Sequence, residues 1–179
     1  NIAYNQVNGV MDESYRKTIN GSLSIVYRTD KFMFRNKLSV DDNRTQESPY
    51  GTFAQYTLMN PYNELEDENG QMPEMYTGIV TQYNPLHNGK IGSYNKTNYT
   101  SVTNNTYLEY RPIEPLRITA QFGVTVKNSG ADNFKPAAHT DFLSYTGDKL
   151  YRAGAYYDMN RKDNRWTAQV GVQYSLTKD

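Results

Sequence analysis

The chain has 179 residues, with basic and acidic residues balanced at 19 each and no cysteine. The balanced charge provides no bulk attraction to nucleic acid, and the lack of cysteine excludes disulfide frameworks and zinc–thiolate sites. No stretch approaches the ~18 consecutive apolar residues that a membrane-spanning helix requires.

The composition combines low hydropathy with many aromatic residues. Hydrophobic residues make up 37% of the chain and the mean hydropathy is -0.84, yet 17 residues are tyrosine. Disordered chains are poor in aromatic residues, so the low hydropathy does not predict disorder. Tyrosine, threonine and asparagine suit strands that have lipid on one side and water on the other.

The first part of the chain predicts a strand end followed by a long hairpin. Residues 1–6 resemble the end of a strand, so we expect the chain to be a piece of a longer protein, and residues 7–14 predict a turn because they contain an Asn-Gly pair. Tyr15–Arg28 and residues 32–41 alternate between apolar and polar side chains, as strands with one wet face do. Residues 29–31 form the tight turn between them.

From residue 42 to about residue 98 the alternation disappears, which predicts a long loop. A structureless insert of this length is unusual in a compact domain, and such loops are functional or disordered. The aromatic residues between Tyr50 and Tyr94 favour an ordered, functional loop.

A second hairpin follows, formed by residues 102–111 and 116–127. The Pro-Ile-Glu-Pro stretch between them is predicted to turn the chain, because two prolines cannot both donate to a ladder of hydrogen bonds. Strands of ~12 residues are about twice the usual length. One face of the second strand is apolar and holds Ile118, Ala120, Phe122, Val124 and Val126.

The last part repeats the pattern of an irregular stretch followed by a strand. Residues 128–165 are predicted to be irregular, with weak alternation over residues 151–159, and residues 166–176 alternate cleanly.

Short turns therefore alternate with long loops, which is typical of outer-membrane β-barrels. Tyr27, Phe32 and Tyr110 flank the short turns, where a periplasmic girdle belongs, whereas Tyr15 and Trp166 are expected at the opposite strand ends. The alternative is a soluble all-β sandwich, in which strands also alternate but are shorter.

The sequence resembles the SusC-like family of TonB-dependent outer-membrane transporters. The stretches that carry the resemblance are Gly9-Val10-Met11, Arg16-Lys17-Thr18, Ser48-Pro49-Tyr50-Gly51, Asn60-Pro61-Tyr62, Asp67-Glu68-Asn69-Gly70, Asn84-Pro85-Leu86, Asn104-Asn105, Leu108-Glu109-Tyr110-Arg111-Pro112-Ile113, Asp132-Asn133-Phe134 and His139-Thr140-Asp141-Phe142. They span nearly the whole chain. The plug domain and the TonB box of the family have no counterpart in it.

The resemblance implies an all-β fold, a segment of a large antiparallel transmembrane β-barrel of about 22 strands with short periplasmic turns and long extracellular loops. Residues 1–179 would supply five to six of those strands. In the family a periplasmic turn follows the strand that matches residues 166–176, so residues 151–159 are expected in an extracellular hairpin.

The resemblance also implies a function and partners. SusC-like proteins sit as multi-pass proteins in the Gram-negative outer membrane, in contact with its lipid, and import oligosaccharides or peptides. They act with a SusD-like surface lipoprotein that caps the barrel and with the TonB complex, which would engage through the missing part of this chain. The expected role is glycan or other nutrient uptake, with no enzymatic activity, no cofactor and no nucleic acid.

No catalytic or metal-ligating motif is predicted. The acidic stretch 64–70 lacks both anchoring ligands of a calcium-binding EF-hand loop, and the two histidines have no metal-site spacing. Aromatic rings beside amides and carboxylates suit sugar, peptide or protein contacts, although they also suit packing within a loop. The candidate contacts to ligand or lid are Tyr50, Phe53, Tyr62, Asp67, Glu68, Asn69, Tyr83, His139, Asp141 and Phe142.

Two rival functions belong to other classes. A soluble carbohydrate-binding β-sandwich would be a monodisperse monomer in buffer without detergent. A passive porin would lack a plug domain in the parent chain.

Overall fold

The structure is a computed structural model that describes residues 1–64, 66–78 and 81–175. Two residues considered above, Leu65 of the acidic stretch and Leu176 of the last predicted strand, lie outside this range. The predicted antiparallel all-β class is confirmed, because most described residues belong to strands that pair antiparallel.

Eight strands, two short α-helices and two 3-10 helices make up the described chain. In chain order they are β1 (Ile2–Asn8), β2 (Tyr15–Arg28), β3 (Phe32–Glu47), α1 (Phe53–Thr57), β4 (Met75–Tyr76), β5 (Gln82–Tyr83), α2 (Pro85–Lys90), β6 (Tyr94–Ile113), β7 (Leu116–Lys135), the 3-10 helices Thr140–Phe142 and Gly147–Arg152, and β8 (Ala155–Tyr174).

Six strands form one sheet in the order β1-β2-β3-β6-β7-β8, and β4 and β5 form a separate two-stranded ribbon. Every neighbour in the large sheet is antiparallel, so the sheet is an up-and-down meander. Within the described residues, β1 pairs only with β2 and β8 only with β7, which leaves one edge of each outer strand unpaired.

The two ends of the sheet differ in their connections. At one end, called the turn end, residues 29–31 and 114–115 join strands. Thr29 N donates to Phe32 O at 2.7 Å, and Arg111 N donates to Lys31 O at 2.7 Å, which couples the two turns. At the other end, called the loop end, the connections are residues 9–14, 48–93 and 136–154.

The strand register places the apolar residues on one face, because residues directly opposite each other in a sheet point to the same side. This face is called the apolar face and the other the polar face. At the turn end of this face Leu116 pairs with Tyr174. Five further rows of directly opposed residues follow toward the loop end, each listed from the β1 side of the sheet to the β8 side. They are Phe32, Tyr110, Ile118 and Val172; Tyr27, Phe34, Leu108, Ala120 and Val170; Ile25, Asn36, Thr106, Phe122 and Ala168; Leu23, Leu38, Asn104, Val124 and Trp166; and Gly21, Val40, Val102, Val126 and Asn164. These rows are called the apolar band.

Nothing in the described chain covers the apolar band. None of the described hydrophobic side chains is buried, and Trp166 and Val170 are 72% and 75% exposed. A six-stranded sheet without a core lacks the main source of folding free energy, so burial must come from outside this part of the chain. Among the described residues, no helix combines the length and apolar character needed to cross a membrane.

The predicted loop over residues 42–98 is wrong at both of its ends. β3 continues to Glu47 and β6 begins at Tyr94, with Glu47 paired to Asn95. The prediction for residues 128–165 is wrong in the same way, since β7 runs to Lys135 and pairs with β8 from Ala155 onward. The paired strands extend beyond the apolar band, where both faces carry mainly polar residues and no regular alternation marks the strands. The long strands are accordingly 14 to 20 residues, rather than about 12.

Residues 151–159 lie in the hairpin that β7 and β8 form at the loop end, and their extracellular placement stays a prediction. Tyr151 and Arg152 end a 3-10 helix, and Ala155–Tyr174 is one continuous strand along β7. Trp166 consequently lies inside β8, opposite Val124, and does not mark a strand end.

Two boundary predictions also need correction. β1 includes residues 7 and 8, so the first turn covers only residues 9–14. Pro112 lies in β6, where the register to β7 shifts between Tyr110 and Ile113, and only residues 114–115 form the turn. A proline is tolerated there because the ladder is already interrupted.

Candidate functional site

The candidate site is a groove at the loop end, where loops 48–93 and 136–154 meet. Both loops leave the sheet from neighbouring strands, since β3 pairs with β6, β6 with β7, and β7 with β8. The sheet therefore brings together two stretches that lie some fifty residues apart in sequence.

Direct hydrogen bonds join the two loops. Asn88 Nδ2 donates to Thr140 Oγ1 at 2.8 Å, and Thr140 N donates to Asn88 Oδ1 at 3.0 Å. His87 Nε2 lies 3.1 Å from Ala138 O. Thr140 is only 5% exposed, so its hydrogen bonds are largely shielded from competing water.

Asn84 holds helix α2, which carries the first loop's half of this junction. It is fully buried; its Nδ2 donates to Pro73 O at 2.8 Å, and its Oδ1 accepts from Leu86 N at 3.1 Å. Asparagine followed by proline favours the start of a helix. The asparagine side chain accepts a hydrogen bond from a free backbone N–H of the first turn, and proline has no N–H that would be left without a partner. The ring of Tyr50 covers the other side of α2 at Gly89, where a Cβ would come within 2.1 Å of it.

The groove between the loops has a volume of about 410 Å³. Its lining combines one exposed ring, Tyr83, with amide, hydroxyl, imidazole and carboxylate groups from Asn88, Thr140, His139 and Asp141. Lys135 Nζ pairs with Asp141 Oδ2 at 2.5 Å, which holds that carboxylate at the groove.

The environment of His139 favours its neutral form. Burial lowers the pKa of His139, and Lys135 and His87 lower it further, while Asp141 opposes them. The ring Nδ1 accepts a hydrogen bond from Asp141 N at 3.1 Å, so the proton of the neutral ring resides on Nε2. Its ring also packs against Phe142 with centroids 6.2 Å apart, and Phe142 packs against Tyr145 at 5.3 Å.

The structure brings together some of the sequence-predicted site residues. Tyr83, His139 and Asp141 line the groove, and Phe142 supports His139 from behind. Tyr50 has a structural position instead: its hydroxyl donates to Glu13 at 3.0 Å, and this hydrogen bond raises the pKa of Tyr50.

The other predicted residues lie apart from the groove lining. Phe53 is 62% exposed on α1 and Tyr62 is 91% exposed. The Asp67 carboxylate accepts from Asn69 N at 2.9 Å and from Gln71 N at 2.7 Å, so it closes its own turn. Glu68 is exposed beside it. In the described ranges no three carboxylate or histidine groups converge in a metal-binding arrangement.

Several residues of the junction were not predicted from the sequence. Asn84 could have been found, because its Asn-Pro pair is a helix-start signal. Asn88 and Thr140 carry no local signal, since each finds its partner across the loop junction.

The chemistry available here is non-covalent recognition. Exposed rings beside amides and paired charges contact the apolar faces and hydroxyls of sugars, or the side chains and backbone of peptides. Neither protein-family models nor the curated proteins include a match to this sequence.

Proposed function

We propose that this chain is part of the wall of a SusC-like, TonB-dependent transporter barrel in the Gram-negative outer membrane, which imports oligosaccharides or peptides. The observation that carries the proposal is the uncovered apolar band, on long strands whose opposite face is polar. Lipid acyl chains are the occupant that fits this band.

The height of the band supports lipid as that occupant. Along β7 it extends from Leu116 to Val126, about 34 Å at ~3.4 Å per residue. Tilting strands by about 45°, as in membrane barrels, reduces this to about 25 Å, the height of an outer-membrane apolar band.

Both borders of the band agree with this assignment. At the turn end the apolar face carries aromatic rings, which belong at a membrane interface; they are Tyr27, Phe32, Phe34, Tyr110 and Tyr174. Toward the loop end, the row after Val126 contains Asp42, Asn128 and Lys162, and such charged groups are costly inside a bilayer.

Polar residues within the band satisfy one another. Asn36 Nδ2 donates to Asn104 Oδ1 at 3.0 Å and to Thr106 Oγ1 at 2.9 Å, and Asn104 Nδ2 donates back to Asn36 Oδ1 at 3.1 Å. A hydrogen-bonded cluster of amides can face lipid at far lower cost than unpaired amides can. The cluster is therefore compatible with a membrane environment.

The loop end supplies the recognition surface in this proposal. The groove with Tyr83, His139 and Asp141 captures the nutrient outside the membrane, and exposed rings such as Tyr62 contact the SusD-like lid. The polar face lines the lumen through which the nutrient passes after TonB-driven displacement of the plug. The wall acts without covalent chemistry of its own.

A soluble carbohydrate-binding sandwich is the rival, and behaviour of the isolated 179 residues separates the two. The two open edges and the uncovered apolar band predict aggregation in buffer without detergent. A monodisperse monomer with a well-dispersed NMR spectrum in plain buffer would contradict the proposal.

A further inference from the structure

The polar face is unevenly charged near the turn end. Its strand residues there include five cations and only one carboxylate, Glu109; the cations are Arg28, Arg35, Lys37, Arg111 and Arg117. These five residues are called the basic patch. Toward the loop end of the same face basic and acidic residues are mixed, and Arg161 contacts Asp163 there at 2.9 Å.

Glu109 is already bound by its neighbours. Its Oε1 accepts from Arg111 Nε at 2.8 Å, and its Oε2 accepts from Arg117 at 2.7 Å and from the Tyr107 hydroxyl at 2.6 Å. Two guanidinium groups on one carboxylate leave an excess positive charge. The arrangement also shows how this face holds a carboxylate, with cations on both sides and a tyrosine hydroxyl between them.

Near Glu109 lies a concavity of about 430 Å³. It is lined, like the surroundings of Glu109, by basic side chains and by Tyr107, but no carboxylate is among the described residues that line it. Arg35 and Lys37 line it, together with Gln121, and the Arg35 guanidinium lies over the Tyr107 ring, 5.1 Å from its centroid. No carboxylate of the described residues lies within 4.0 Å of Arg35 or Lys37.

Gly123 forms part of the floor of the concavity, between the side chains of Asn105 and Thr167. A Cβ at this position would come within 2.8 Å of both Asn105 Oδ1 and Thr167 Oγ1, so a larger residue would force the flanking polar groups apart. Gly123 itself is buried beneath the Asn105 amide and the Thr167 hydroxyl, and these two side-chain groups can hydrogen-bond an incoming polar group.

We propose that the basic patch docks a polypeptide segment rich in aspartate and glutamate. The cations lie on four neighbouring strands, which span about 15 Å at ~4.8 Å per strand. One carboxylate contacts about two of these cations, as Glu109 does. Several carboxylates on one extended segment are needed to match the whole patch.

Photo-crosslinking in the full-length parent protein, in outer membranes, tests this inference. A benzoylphenylalanine side chain replaces Gln121, which is exposed and lines the concavity. We expect an adduct with a peptide that contains several carboxylates, and a yield about tenfold lower with Lys37→Glu, because reversing one charge replaces attraction by repulsion. Lys37→Gln should give an intermediate yield.

Arg16→Glu is the matched control, since Arg16 lies on the same face near the loop end. It should leave the Gln121 adduct unchanged. An adduct with a peptide poor in carboxylates, a small molecule or a second copy of the chain would overturn the inference, as would equal yields from the Lys37 variants and the control.

The inference depends on the proposed function in one respect, namely that the polar face lines the lumen of the barrel. Lipid exposure of the apolar face is measured separately. A charge-dependent adduct in a protein whose apolar face does not contact lipid would reject the membrane proposal and retain the docking surface.

Discussion

Asn88 and Thr140 bind each other through two hydrogen bonds, of 2.8 and 3.0 Å, across 52 residues of sequence. Asn88 belongs to α2 in loop 48–93, and Thr140 begins the 3-10 helix in loop 136–154. Because Thr140 is buried, this pair makes the two loops one structural unit and fixes the two sides of the groove relative to each other.

Removing the Asn88 side chain should loosen that unit. Asn88→Ala leaves the buried Thr140 N–H without its acceptor, at a cost of about 1–3 kcal/mol. In the intact protein, hydrogen exchange of residues 136–145 should accelerate about five- to hundredfold. Asn69→Ala, in the exposed acidic turn, is the control and should not change exchange there. Equal exchange in both variants would mean that the loops are held together elsewhere.

Acid should also loosen the groove. Burial lowers the pKa of His139 in the folded state, so unfolding of the loop unit takes up a proton once the pH falls below about 6.5, the ordinary value. The stabilisation is complete above that pH and declines between about 6.5 and the lower folded-state pKa. Exchange of residues 136–145 should accelerate over this interval, and His139→Gln should flatten the dependence. A pH dependence that persists in His139→Gln would assign it to other groups.

Groove and rim residues should have separable functions. Tyr83 lines the groove, whereas Tyr62 is 91% exposed away from it. Tyr83→Ala should weaken nutrient binding about tenfold, since a stacked ring contributes about 1 kcal/mol or more beyond its buried area. Tyr62→Ala should leave nutrient binding unchanged and reduce co-purification of the lipoprotein lid. Identical effects of the two variants on both measurements would contradict this division.

Substitutions on the two faces should differ in cost. Val124 lies in the apolar band between Asn104 and Trp166, and Val124→Arg should destabilise the proposed barrel by about 2–4 kcal/mol if it is near the bilayer midplane. Thr103→Arg on the polar face is the matched control, because no charged residue lies directly opposite it, and its cost should be small. Unfolding in liposomes measures both, and equal costs would exclude a lipid-facing band.

The sequence reveals strands only where one face is apolar. The pattern of Tyr15–Arg28 gave its bounds correctly, since alternation and strand coincide there. Beyond the band, pairs such as Asp42–Thr100 and Gly130–Asn160 continue the ladder through backbone hydrogen bonds, with polar residues on both faces. Backbone pairing does not depend on side-chain polarity, so no hydrophobic period marks these extensions.

The groove was predictable in part for a related reason. Tyr83, His139 and Asp141 stood out by residue type, but contacts such as Asn88 with Thr140 depend on which strands neighbour each other. That arrangement is a property of the whole sheet. Short sequence windows do not contain it.

The central claim is that the apolar face contacts lipid, and a spin-label scan of β7 measures this directly. The 179 residues contain no cysteine, so single cysteines at residues 116–130 can be labelled one at a time in the intact protein in bilayers, once any cysteine in the rest of that protein is replaced by serine. We predict that oxygen, which dissolves in lipid, relaxes the even-numbered positions from 116 to 126, and that a water-soluble nickel reagent relaxes the odd-numbered ones. Beyond residue 127 both faces should be accessible to nickel. Equal access of nickel to even and odd positions throughout the scan would contradict the account.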